Sequence, residues 1–198
     1  MARQKVAPNF ISVSSVFFAL GGSVAMFAVL RIENAGAASI ALVAAAVGIQ
    51  LRLLANMLDG MVAVEGGLGG PLGDVYNEFP DRLADVFLIL PAGYLAATGS
   101  WPYGVELGWL ACALALLTAY VRAMGASING QHAFHGPMAK PHRMFALTCA
   151  CLVAAVAVHW QGEARIMYGV LVIMNVGMVI TIIRRIRAIS ASLVRKDE

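Results

Sequence analysis

Between positions 10 and 30 the chain runs for about 20 residues without a charged side chain, long enough as a helix to cross the roughly 30 Å hydrocarbon core of a bilayer. Further spans are expected at 37–54, 74–98, 105–122, 144–159 and 166–183, mostly apolar but with charged residues crowded at the start of 74–98. In lipid, backbone N–H and C=O groups must be satisfied within the protein, so long apolar runs are expected to be helical. The expected fold is an all-α integral membrane protein with six transmembrane helices and both termini on one side. Composition agrees: 60% of the 198 residues are hydrophobic, 13% are charged and mean hydropathy is +0.78, against roughly 25% charged in soluble domains.

Charge placement sets the orientation. Of the fourteen Lys and Arg residues, Arg31 and Arg165 fall on one side of this layout. The remainder fall on the side of the termini, the segment near 55–82 and the loop at 125–143. By the positive-inside rule that side is cytoplasmic, giving a multi-pass protein of the cell membrane. The net charge of +3 does not indicate nucleic-acid binding, because the basic residues sit at helix ends rather than in one patch. The apolar stretch after Met1 to Asn9 is long enough to span, so the first helix is expected to be retained rather than cleaved. Cys112, Cys149 and Cys151 lie in apolar runs and read as small core residues. With no repeat or linker, residues 1–198 read as one domain.

Against this background, residues 56–85 stand out. Six of the eleven acidic residues, Asp59, Glu65, Asp74, Glu78, Asp81 and Asp85, crowd into it with only Arg82 inside and Arg52 just before. Such crowding requires solvation, protonation or bound cations, and oxygen ligands of this kind suit magnesium. Asn56 and Asp59 are three apart near the end of the second span; Asp74, Asn77 or Glu78, Asp81 and Asp85 follow a seam at the start of the third. Five glycines and a proline in residues 66–73 make a turn between the two helices. The two helices are thus expected to offer carboxylates and carboxamides to one site. Gly60 and Ala63 leave room for a bulky group such as a phosphate or nucleotide.

The spacing Asn56-x2-Asp59-Gly60-x2-Ala63-Val64, eight residues, then Gly73-x3-Asn77-x3-Asp81, resembles the signature of the CDP-alcohol phosphotransferases, D-x2-D-G-x2-A-R, eight residues, G-x3-D-x3-D. Pro8-Asn9, Arg82, Asp85 and the six-span layout extend the resemblance. It implies a membrane transferase of phospholipid biosynthesis that moves a phosphatidyl, or substituted phosphate, group from a CDP-linked lipid such as CDP-diacylglycerol to an alcohol acceptor and releases CMP. By the same resemblance, Asn56, Asp59, Asn77 and Asp81 would hold Mg2+ or Mn2+. Asp81 and Asp59 would be catalytic, with Asp81 a ligand or general base. Asn56, Gly60, Ala63, Gly73 and Asp85 would border the cytidine diphosphate. Arg122, Lys140 and Arg143 would take a phosphate on the acceptor, their alternative role being stop-transfer charges. Family members often form homodimers, which the small-residue spans here permit.

Three positions depart from the signature: Asn56 and Asn77 stand for the first and third aspartates and Val64 for the arginine. Asparagine keeps the shape and one carbonyl oxygen but loses the charge, so weaker metal binding is expected. A rival alignment makes Asp81 and Asp85 the final pair, at the cost of four extra residues in the glycine-rich turn. Two other functions stay open: a catalytically degenerate relative that binds CDP-lipid or a partner enzyme without turnover, and a small transporter using Asp81 and Asp85 as a cation relay. The near absence of charges in later spans argues against the transporter. His132, His135 and His142 read as solvated loop residues.

Overall fold

A computed structural model describes residues 8–65, 73–129 and 136–194, with the backbone alone at 8–12, 60, 62–65, 73–74, 76–77 and 129. Regular structure among these residues is entirely helical: α1 (Pro8–Ala28), α2 (Ala35–Glu65), α3 (Gly73–Ala96), α4 (Gly104–Asn129), α5 (Lys140–Ala157) and α6 (Glu163–Val194), with short 3-10 turns at Val29–Arg31 and Val158–Trp160. The boundaries have local causes. Pro8 and Pro141 sit in first turns, where a missing N–H costs no helical bond. The Asn34 side chain accepts from the Ala37 N–H at 2.9 Å, capping α2. Between α5 and α6 the chain reverses through Gln161 in the left-handed conformation (φ 55°).

Helix α3 occupies the middle of the bundle, packing against α1, α4 and α6, while α2 bridges α1 and α5. Glycine lets two of these pairs touch backbone to backbone. A Cβ added to Gly48 on α2 would lie 2.9 Å from the Gly22 Cα on α1, and one added to Gly93 on α3 would lie 2.8 Å from the Gly108 Cα on α4. Around these crossings Ala45, Ile49, Leu88, Ala92 and Ala111 are fully buried. Phe17, Val24, Ile40 and Ile173 project outward, as a lipid-facing surface requires.

Five helices, all but α3, are long and apolar enough to cross a membrane, against the six expected. The reason is chemical: even the least charged 18-residue window of α3, residues 79–96, holds Asp81, Arg82 and Asp85. These groups face protein rather than lipid, since Asp81 and Asp85 are buried. Three helices also extend further than the apolar runs indicated. α2 continues through the signature to Glu65. α4 runs to Asn129, so residues 125–129 are helical rather than loop. α6 continues through Arg184–Arg187 to Val194 rather than ending in a tail. Arginine favours helix, and Ile189, four residues after Arg185, prolongs the buried stripe. The expected glycine-rich turn at 66–72, and His132 and His135, lie outside the described residues; Gly73 opens α3.

Candidate active site

One face of α2 carries Arg52, Asn56 and Asp59 at helical spacings of four and three, and α3 presents Asp81 and Asp85 one turn apart. The structure brings these together. The Asn56 amide Nδ2 donates to Asp81 Oδ1. Arg52 Nη2 reaches the Asp81 backbone oxygen and Oδ1 at 3.2 Å each and Asp85 Oδ1 at 2.9 Å. Asp59 is buried on the same helix, 5% exposed.

The opposite wall comes from α5. Lys140 Nζ donates to Asp81 Oδ2. Arg143 Nη2 donates to Asp85 Oδ2 at 2.7 Å, while its Nη1 reaches Thr118 Oγ1 at 3.1 Å and the Met138 carbonyl at 3.2 Å. Asp85 is thus clamped between Arg52 and Arg143, all three 1% exposed or less. Asp81 carries Arg52 and Asn56 on one oxygen and Lys140 on the other. Beside this cluster, Glu78 accepts from both Arg82 and Arg122, and Arg185 Nη1 donates to the Thr118 carbonyl.

These groups border a cavity of about 290 Å³, lined among others by Glu78, Asp81, Arg82, Arg122, Lys140, Arg143 and Arg185. Its lining carries five cationic side chains against two carboxylates, a composition that attracts a phosphate-bearing molecule. Arg122, Lys140 and Arg143, the residues expected at an acceptor phosphate, all line it, although each contacts a carboxylate. Arg185 was not anticipated, because the sequence there reads as a basic tail. Its spacing of four from both Thr181 and Ile189 was the available signal. Of the other expected site residues, Gly60 and Ala63 fall in the last turns of α2, and Gly73 and Asn77 in the first turns of α3; their side-chain positions lie outside the described residues. His142 is exposed.

The donors do not match a pair of divalent ions. Among the described residues no three carboxylate, histidine or cysteine side chains converge to hold a metal. Asp81 and Asp85 face three cations, Arg52, Lys140 and Arg143. Two signature positions, Asn56 and Asn77, offer neutral amides where the resemblance has carboxylates. The donors among the described residues are fewer than the oxygen ligands that two such ions require.

The fold is shared with a solved member of the CDP-alcohol phosphotransferases. Mycobacterium tuberculosis phosphatidylinositol phosphate synthase with CDP-DAG bound superposes with a TM-score of 0.75 at 20% identity, covering 94% of this chain and 88% of the synthase. The synthase in complex with manganese and citrate gives the same score and identity over 94% and 84%. Its apo form gives 0.73 at 20% identity over 93% and 90%. At this identity the likeness is one of fold. In sequence, the inner membrane protein YnbA of Escherichia coli (strain K12) is 26% identical over 143 residues, 72% of this chain and 69% of that protein. No protein-family model matches the chain.

Proposed function

We propose that this chain is a phosphatidyltransferase of the CDP-alcohol class, moving a substituted phosphate from a CDP-linked lipid such as CDP-diacylglycerol to an alcohol and releasing CMP, with its site open to the cytoplasm. The observation that carries this reading is the junction of Arg52 and Asn56 on α2 with Asp81 and Asp85 on α3 beside a basic cavity. The fold shared with a synthase crystallised with CDP-DAG supports it.

In this reading the acceptor oxygen attacks the β-phosphorus of the CDP-lipid, the bond to CMP breaks, and the acceptor proton passes to the Asp81 carboxylate. Asp81 must first shed a partner. Lys140 is the candidate, because its side chain is 26% exposed whereas that of Arg52 is wholly buried. Asn56 and Arg52 hold the Asp81 carboxylate in place meanwhile. Asn56, Gly60, Ala63, Gly73 and Asp85 are assigned to the border of the cytidine diphosphate, and Asn77 with Asn56, Asp59 and Asp81 to the metal. A bound magnesium or manganese ion would supply charge neutralisation at the diphosphate. Arg122, Lys140 and Arg143, joined by Arg185, suit an acceptor that itself bears a phosphate.

A second reading is favoured by the engagement of both Asp81 oxygens: a relative that binds CDP-lipid without turnover. CMP release decides between them. Purified protein in detergent, supplied with CDP-diacylglycerol, magnesium or manganese and a panel of alcohols, is expected to release CMP with one acceptor. Asp81→Asn is expected to abolish that release. Silence across the panel with CDP-diacylglycerol still bound would establish the second reading instead.

A further inference from the structure

Arg52 is the largest wholly buried side chain of the described core, and holding Asp81 in place does not account for its reach to Asp85 as well. One nitrogen, Nη2, contacts both site aspartates, while Nε and Nη1 are buried and, among the described residues, have no hydrogen-bond partner. A buried guanidinium with two unsatisfied donors is costly. Among the described residues it is compensated by the Asp81 and Asp85 carboxylates it bridges and by the Asp81 backbone oxygen. It stands one turn before Asn56, on the face of α2 that meets α3, in a site whose signature has lost two aspartates to asparagine and one arginine to valine.

We propose that Arg52 is a positioning residue that serves as an internal counter-ion, a fixed cation carrying part of the charge that divalent ions would otherwise carry against Asp81 and Asp85. This rests on the reading of the site as a CDP-alcohol transferase. The change from aspartate at two positions and the presence of a buried arginine then belong together: fewer carboxylates, a built-in cation, and room for one divalent ion rather than two. With Lys140 and Arg143 on the other side, Arg52 leaves Asp81 and Asp85 outnumbered by cations before any ion arrives. The two open donors of Arg52 are aimed from the buried side of the pair, so the guanidinium orders the aspartates from behind rather than gripping substrate from the cavity it does not line.

Counting bound manganese tests this without any reliance on turnover. Metal-stripped protein in detergent is titrated with Mn2+ and the free ion is read by its electron paramagnetic resonance signal. The wild type is expected to bind at most one Mn2+ per chain. Arg52→Gln, which removes a cation competing for Asp81 and Asp85, is expected to bind Mn2+ on the order of tenfold more tightly or to gain a second ion. Arg52→Lys, which keeps the charge, should behave as the wild type. Should Arg52→Gln fail to elute as a folded species, Asn56→Asp with Asn77→Asp restores the lost charge while Arg52 stays, and is expected to raise Mn2+ uptake. Two tightly bound ions in the wild type, or unchanged uptake in a folded Arg52→Gln protein, would overturn the proposal. Because the readout is ion stoichiometry, its failure is distinguishable from absent CMP release.

Discussion

Replacing Asp85 by alanine removes one anion from between two buried cations. Arg52 Nη2 stands at 2.9 Å and Arg143 Nη2 at 2.7 Å from its two oxygens, and all three residues are shielded from solvent. At an effective dielectric near 20, each unit-charge pair at about 4 Å contributes roughly 4 kcal/mol of gross attraction. Desolvation offsets much of this in the intact triad, but the variant keeps the cost of burying two guanidinium groups and loses their compensation. Removing one member of a buried pair costs about 3–5 kcal/mol. For a chain of this size a loss of that order lowers the melting midpoint by roughly 10 °C or more. The assay is loss of monodisperse elution after heating the detergent-purified protein in parallel with the wild type. The triple variant Asp85→Leu, Arg52→Met, Arg143→Met removes all three charges and is expected to recover most of the stability. A midpoint for Asp85→Ala within about 2 °C of the wild type would refute the reasoning, since a shift that small corresponds to about 1 kcal/mol or less.

Asp81→Asn retains the shape of its hydrogen-bonding site but cannot take a proton, so CMP release should fall by about 10²–10⁴-fold while CDP-lipid still binds. Arg185→Gln should raise the KM of a phosphorylated acceptor by roughly 10- to 100-fold, the equivalent of one charge-assisted hydrogen bond, and leave an unphosphorylated alcohol unaffected; equal effects on both would remove Arg185 from the acceptor site. Gly108→Leu forces a side chain into the Gly93 backbone and should cost at least about 1–3 kcal/mol in the same heating assay. Gly169→Ala, where an added Cβ meets nothing within 4 Å, should be neutral or slightly stabilising.

The helical layout was legible because bilayer length and apolar run length are linked, and α1 and α2 begin close to where the sequence places them. Asn56, Asp59, Asp81 and Asp85 were legible as one site because helical spacing fixes which side chains share a face. Their partners were not. Nothing local to Lys140 or Arg143 says that they will meet Asp81 and Asp85, some 58 and 59 residues away in sequence; that follows from α5 docking across α2 and beside α3. Hence the expectation that this crowded acidic segment requires solvation, protonation or bound cations did not include the cations that α5 supplies. Arg185 escaped for a different reason, since a run of arginines after an apolar span looks the same whether the helix stops or continues. The span count was blurred by α3, whose charges are hidden by tertiary contacts that hydropathy does not register.

The backbone contact of Gly93 with Gly108 lies eight residues beyond Asp85 along α3, about 12 Å at the helical rise. With no side chains between them, the two helices have nothing compressible at that crossing, so it acts as a fulcrum for α3. A tilt of about 10° about this point would carry Asp85 sideways by about 2 Å, given that lever arm. A displacement of that size would break the ion pairs of Asp85 with Arg52 and Arg143, so those pairs brace α3 against rocking about this crossing. The three residues of α3 beyond Gly93 would move the opposite way, toward the end of the bundle where Arg165 stacks on Trp101.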